Sequence, residues 1–241
     1  MFKIQNFNKS EKYINLYLKY SRRMFSYQYD LFVIGGGSGG LSASKEAAYL
    51  GAKVGLADFV KPSPSGTKWG LGGTCVNVGC IPKKMMHHAG SLYEEMSELS
   101  AVGYTGEIKK NHDWQTMVSN VQTYIKKLNF GYRSELRDKK VVYYNKLAKL
   151  LDKNTIELTD AKGGKETVTA KNILIAVGGR PNYGEAPGAN EFCISSDDIF
   201  SIKKSPGKTL VVGASYIALV KIILIYKITL GMWRILTCFG L

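Results

Sequence analysis

The sequence predicts an α/β fold built on an open, mostly parallel sheet. Two observations carry this. The apolar run Asp30-Leu31-Phe32-Val33-Ile34 leads into Gly35-Gly36-Gly37-Ser38-Gly39-Gly40 and then into a segment with Ala and Leu at helical spacing, Leu41 to Leu50. The same design returns at Thr209-Leu210-Val211-Val212, followed by Gly213-Ala214-Ser215-Tyr216-Ile217-Ala218. Short apolar runs that alternate with helical segments are what strands covered by crossover helices look like.

Residues 1–27 are basic, poor in acid and interleaved with aromatics: Lys3, Lys9, Lys12, Lys19, Arg22 and Arg23 face only Glu11. That composition suits a leader or a mitochondrial presequence. Met24 could equally serve as a second start, so the expected location is cytoplasmic or mitochondrial.

The first glycine segment satisfies G-x-G-x-x-G at Gly35, Gly37 and Gly40. A second strand, Lys53 to Ala57, ends in Asp58, an acid 23 residues after the first glycine. A glycine fingerprint between a strand and a helix, with an acid at that distance, predicts a dinucleotide site. Gly35 permits the tight turn, Gly37 admits a pyrophosphate and Gly40 lets the helix pack on the strand. Helix N–H groups meet the phosphate and Asp58 accepts from a ribose hydroxyl.

A Pro/Gly/Ser loop, Lys61 to Leu71, leads into Gly72-Gly73-Thr74-Cys75-Val76-Asn77-Val78-Gly79-Cys80-Ile81-Pro82-Lys83-Lys84. Pro82 suits the first turn of a helix, which the sequence extends from Lys83 to Leu99. Cys80 then lies at a helix N-terminus beside two ammonium groups, and both favour thiolate. Cys75 and Cys80 read as a redox-active pair. A structural disulfide, or two buried thiols, is the plainer alternative. A zinc site from Cys75, Cys80, His87 and His88 matches no zinc spacing, so no metal is expected.

Asp113 caps a long helix to about Arg137, with Trp114, Met117, Val118, Val121, Ile125 and Leu128 as its apolar stripe. Val141–Tyr144, Thr155–Leu158 and Glu166–Thr169 read as a small meander. Asn172 to Val177 reads as a buried strand that stops at the turn Gly178-Gly179-Arg180-Pro181. The tail from Val220 is hydrophobic but broken by Lys221, Lys227 and Arg234, which argues against a membrane span. Its run Ile222–Tyr226 has β-type, aggregation-prone character.

Two glycine-turn starts imply two nucleotide sites, one for a flavin or nicotinamide and one for its redox partner. The net charge of +14 concentrates at the two ends, with no basic stripe or nucleic-acid motif, so no nucleic-acid partner is expected. Four cysteines in 241 residues exclude a secreted disulfide scaffold.

Together these segments resemble the pyridine-nucleotide disulfide oxidoreductases over residues 29–219, and within them the branch of large FAD-dependent thioredoxin reductases. The lead-in Ser65–Leu71, His112-Asp113-Trp114, Leu128–Arg133, Cys193–Asp198 and Pro206–Tyr216 carry that finer likeness. The resemblance implies a Rossmann-like three-layer FAD-binding domain with a β-meander, followed by the start of a second Rossmann-like domain for NADPH. It divides the chain into the leader 1–27, the first part of an FAD-binding domain with the cysteine pair at 28–183, the beginning of an NADPH domain at 184–219 and a divergent hydrophobic tail at 220–241. It places FAD against Gly35, Gly37, Ser38, Gly39, Gly40, Asp58, Thr74, Lys83, Ala148 and Gly178. It assigns NADPH to Gly213, Ser215, Tyr216 and Ala218, makes Cys80 the flavin-side thiol and makes Cys75 the interchange thiol.

The implied activity is NADPH-dependent reduction of thioredoxin, or of a small disulfide, by a homodimer. Val177 stands where the family usually has Thr, and Val220 where it has a Glu beside Lys83. The likeness stops at about residue 219. The competing expectations are therefore a truncated, non-catalytic FAD-binding fragment and, within the enzyme class, a glutathione reductase-like protein.

Overall fold

A computed structural model describes residues 27–106, 111–228 and 237–238. The presequence reading and most of the tail beyond 228 lie outside them.

The core is one six-stranded sheet in the order β3-β2-β1-β6-β5-β4. Its strands are β1 (Tyr29–Ile34), β2 (Val54–Ala57), β3 (Val142–Tyr144), β4 (Leu147–Leu150), β5 (Thr155–Thr159) and β6 (Lys165–Ile175). β3, β2, β1 and the second half of β6 run parallel, with Leu31 opposite both Val54 and Asn172. β4, β5 and the first half of β6 form the antiparallel meander.

The helices are α1 (Ser38–Tyr49), α2 (Gly73–Val78), α3 (Cys80–Glu98), α4 (Trp114–Asp138), α5 (Ala189–Phe192) and α6 (Tyr216–Ile228). α4 starts where Asp113 takes hydrogen bonds from the Gln115 and Thr116 amides. On one face of the sheet, Val33, Val54 and Leu56 meet Leu41 of α1 and Leu136 of α4. On the other, Tyr29 and Phe32 meet Ile156, Leu158, Val168 and Ala170 of the meander. These are the three layers: helices, sheet, meander. A third cluster joins Val78, Met86, Trp114, Val118, Val121, Ile125, Ile199, Phe200 and Ile225, so α2, α3, α4 and α6 share a helical core.

Five local expectations change. Val141–Tyr144 belongs to the parallel sheet beside β2, because α4 serves as a crossover that returns the chain in the same direction. β4 is a strand with weak local signal, because Ala148 and Lys149 have low strand propensity; its pairing with β5 makes it one. The meander strand at 166–169 and the strand at 172–177 are one continuous β6, and its end is open: Ile175 is 60% exposed. Cys75 lies in a short helix, α2, which precedes the one that Cys80 opens. The run Ile222–Tyr226 is helical, inside α6, because packing on α3 overrides its β-branched composition.

β7 (Val211–Val212) pairs in parallel with β8 (Thr237–Cys238) in a separate two-stranded sheet. Among the described residues no helix is long and apolar enough to cross a membrane.

Candidate functional site: a glycine cradle beside a cysteine pair

The site is built where β1 ends. Gly35 adopts φ +113°, open to glycine, and a Cβ there would lie 2.2 Å from the Ala176 carbonyl at the end of β6. A Cβ on Gly40 would lie 1.8 Å from the Gly35 carbonyl oxygen, so α1 can rest on the turn only with glycine there. The Gly37 N-cap supplies no side-chain acceptor to the first-turn amides of α1. Ser38 and Gly39 are exposed, and nothing lies within 4 Å of a Cβ on Gly39. Bare backbone donors at the start of a 12-residue helix fit a pyrophosphate.

Asp58 follows β2 and closes the cradle. Its Oδ1 accepts from the Gly36 amide at 2.9 Å. Burial pushes its carboxyl above the ordinary value, against the pull of the Gly36 and Phe59 amides. A carboxylate held at this strand end suits a donor such as a ribose hydroxyl.

The cysteine segment is tied to the same turn. The Gly72 amide donates to the Gly36 carbonyl at 2.9 Å, and a Cβ on Gly73 would lie 2.6 Å from Gly37 Cα. α2 therefore starts against the glycine turn, with Thr74 and Cys75 the next two residues of the helix. Asn77, 1% exposed, holds the loop: Nδ2 donates to the Gly73 carbonyl at 2.8 Å and the Gly70 carbonyl at 3.2 Å. Asn129 of α4 donates to Asn77 Oδ1 at 2.9 Å and to the Leu71 carbonyl.

Neither Asn77 nor Asn129 is assigned a role by a motif recognisable in the sequence. The available signal was a polar residue between Val76 and Val78, midway between the cysteines. Asn77→Ala removes the side-chain bonds to the Gly70 and Gly73 carbonyls and the one accepted from Asn129, so a loss of about 2–3 kcal/mol is expected, read from the urea midpoint. An unchanged midpoint would show that the asparagine pair does not hold the loop.

Cys75 is partly buried and Cys80 exposed, both as free thiols. The hydrogen bond with Cys80 is the main influence raising the Cys75 thiol, followed by burial; Lys83 pulls the other way. Lys83 sits one turn into α3, its amide bonded to the Gly79 carbonyl at 3.1 Å. Cys75, Cys80, His87 and His88 form no metal cluster, and among the described residues no group of three His, Cys, Asp or Glu does so.

The structure thus brings together Gly35, Gly37, Gly40, Asp58 and the start of α2, with Gly178 (φ +65°) just beyond the strand end that touches Gly35. Ala148 is half-buried on β4 and packs against the meander-side core. Gly213, Ser215, Tyr216 and Ala218 lie elsewhere, at the β7–α6 junction, and Tyr216 is 73% exposed.

The lead-in loop is pinned from the far side. Ser63 Oγ donates to Asp198 Oδ1 at 2.6 Å, and Tyr183 and Ser195 donate to Oδ2. Burial alone would raise the Asp198 carboxyl, but these bonds hold it down at about 2. Arg180 lies 4.4 Å over the Trp69 ring, 3.2 Å from Asp197 Oδ2, and donates to the Lys61 carbonyl.

A family model described as pyridine nucleotide-disulphide oxidoreductase matches residues 29–228, past the residue 219 at which the sequence likeness was expected to stop. The chain is 59% identical over 192 residues to "Thioredoxin reductase SEP1" of Emiliania huxleyi, covering 80% of this chain and 39% of that protein. It is 55% identical over 198 residues to "Thioredoxin reductase" of Plasmodium falciparum (isolate FCH-5), covering 80% of this chain and 36% of that protein. The chain therefore spans less than half the length of these relatives.

Proposed function

The chain belongs to the pyridine nucleotide-disulphide oxidoreductase family, and on that premise we propose that it carries the FAD cradle and the dithiol of a thioredoxin reductase-type disulfide reductase. One observation carries the reading: the glycine turn that fits a pyrophosphate is hydrogen-bonded to the start of the segment that holds Cys75 and Cys80.

Bound in this cradle, FAD would supply two-electron redox chemistry between NADPH and the cysteine pair. The first-turn amides of α1 would hold its pyrophosphate, and Asp58 would accept from a ribose hydroxyl. Gly213, Ser215, Tyr216 and Ala218 begin the NADPH site. Cys80 is the flavin-side thiol and Cys75 the outward one.

Cys75, as thiolate, attacks one sulfur of a substrate disulfide, and the other substrate sulfur leaves with a proton. Cys80 then displaces the bound substrate sulfur and closes the Cys75–Cys80 disulfide. Two protein thiols are oxidised and one substrate disulfide becomes two thiols. Because the Cys75 thiol is raised, the attack speeds up with pH until its own titration is complete. Thioredoxin is the disulfide partner in this reading, homodimerisation completes the enzyme, and its location is cytoplasmic or mitochondrial.

A second reading, an FAD-binding unit that does not turn over by itself, is favoured by the end of β6. From Lys171 to Ile175 the strand pairs with β1 on one side only, and Val177 beyond it is 65% exposed. The test is to purify residues 1–241 with FAD, record the flavin spectrum and follow NADPH oxidation with a disulfide substrate. Disulfide-dependent NADPH oxidation supports the first reading. A yellow but inactive protein supports the second, and a chain that retains no FAD contradicts both.

A further inference from the structure

Lys221 lies in the middle of α6, the helix that packs along α3. It is 8% exposed, and its Nζ sits 3.2 Å from the centroid of the Phe200 ring. That Nζ has no hydrogen-bond partner. A buried ammonium normally keeps hydrogen bonds or a facing carboxylate, and a ring face replaces only part of its lost hydration.

The charges around it do not supply the rest. α6 contains no acid. On the 193–202 segment Asp197, 2% exposed, attracts the amine and lies with Oδ2 3.2 Å from Arg180 Nε, yet neither that Oδ2 nor the Lys221 Nζ has a hydrogen-bond partner. On α3, Lys83 repels it. The position is comfortable for a neutral amine and poor for a cation.

We propose that Lys221 is a proton-operated latch: α6 closes over α3, the helix that begins at Cys80, when the amine is neutral, and loosens when the amine takes up a proton. The latch consists of this chain's own packing and does not depend on the dinucleotide reading. Desolvation lowers the amine to about 7, with Asp197 opposing and Lys83 adding to the shift. An undocked lysine holds its proton up to roughly 10.4. Between these values the undocked state binds more protons, so docking strengthens as pH rises from about 7 towards 10.4 and changes little below 7. The docking constant should rise about fivefold from pH 7 to pH 8, then about tenfold per unit, but less than about twofold from pH 6 to pH 7.

Amide hydrogen exchange on the full chain reads this directly, as protection factors for Val220–Ile225 corrected for intrinsic rates and referred to α4. The wild type should show the fivefold rise between pH 7 and pH 8. Lys221→Met should show higher protection of α6 with no such slope. A flat wild-type profile, or the same slope in Lys221→Met, overturns the proposal. Should the variant not fold, NMR titration of the lysine Cε signals in the wild-type chain decides. One signal with a midpoint near 7 supports the latch, and lysines that titrate only at their ordinary value overturn it.

Discussion

Gly40→Ala is expected to destabilise the chain by at least about 3 kcal/mol. The new Cβ would lie 1.8 Å from the Gly35 carbonyl oxygen, 2.9 Å from its carbon and 3.2 Å from Val33 Cγ1. Two of these are backbone atoms of Gly35, whose amide is bonded to the Ala57 carbonyl at 2.7 Å, so there is no side chain to swing away. α1 must lift off β1 and open the cluster of Val33, Leu41 and Leu56. Overpacking of a rigid site costs about 1–3 kcal/mol and more where backbone must move, set against a total of about 5–15 kcal/mol for a domain. Gly39→Ala is the matched control. Nothing lies within 4 Å of its Cβ and the position is helical, so stability should hold or rise by up to about 1 kcal/mol. Urea midpoints of the two variants check this; equal midpoints would mean that α1 does not rest on the glycine turn.

Cys80→Ala has the largest expected effect on the chemistry. It removes one half of the only close thiol pair among the described residues, so formation of the intramolecular disulfide falls to nothing, as it does in Cys75→Ala. The two variants differ in the thiol that remains. Cys75 owes its raised titration first to the hydrogen bond with Cys80, then to burial. Without Cys80 that influence is gone and the nearby Lys83 still acts, so the Cys75 thiol moves down. Alkylation of Cys75 by iodoacetamide at neutral pH should therefore be several-fold faster in Cys80→Ala than in the reduced wild type. An unchanged rate would mean that the two sulfurs do not share a proton in solution.

The portion of the fold that was legible from the sequence is the portion fixed by local chemistry. β1, the glycine turn, α1 and β2 follow from run length, a G-x-G-x-x-G spacing and an acid at the strand end. α4 follows from Asp113 and its stripe. The misassigned elements are those whose partners decide their identity. Val142 is 42% exposed, so β3 at the sheet edge alternates like a meander strand, and only the α4 crossover makes it parallel. Lys171 and Asn172 look like a break, yet they lie on the open side of a continuous β6, where polar side chains meet water. In α6, Ile222 to Ile225 carry strand propensity, and contact with α3 outweighs it. For the site, the glycines and Asp58 were readable because their chemistry is backbone chemistry at fixed spacing. Asn77, Asn129 and Lys221 were not, because their roles arise from segments far apart in the chain.

The central proposal is that the glycine cradle would hold FAD beside the cysteine pair, with Cys80 as the flavin-side thiol. The absorption spectrum of the FAD-loaded chain, recorded before and after reduction of the Cys75–Cys80 disulfide, tests it most directly. A new long-wavelength band is expected on reduction, present in wild type and absent in Cys80→Ala. Stoichiometric FAD whose spectrum is indifferent to the state of the two cysteines would contradict it.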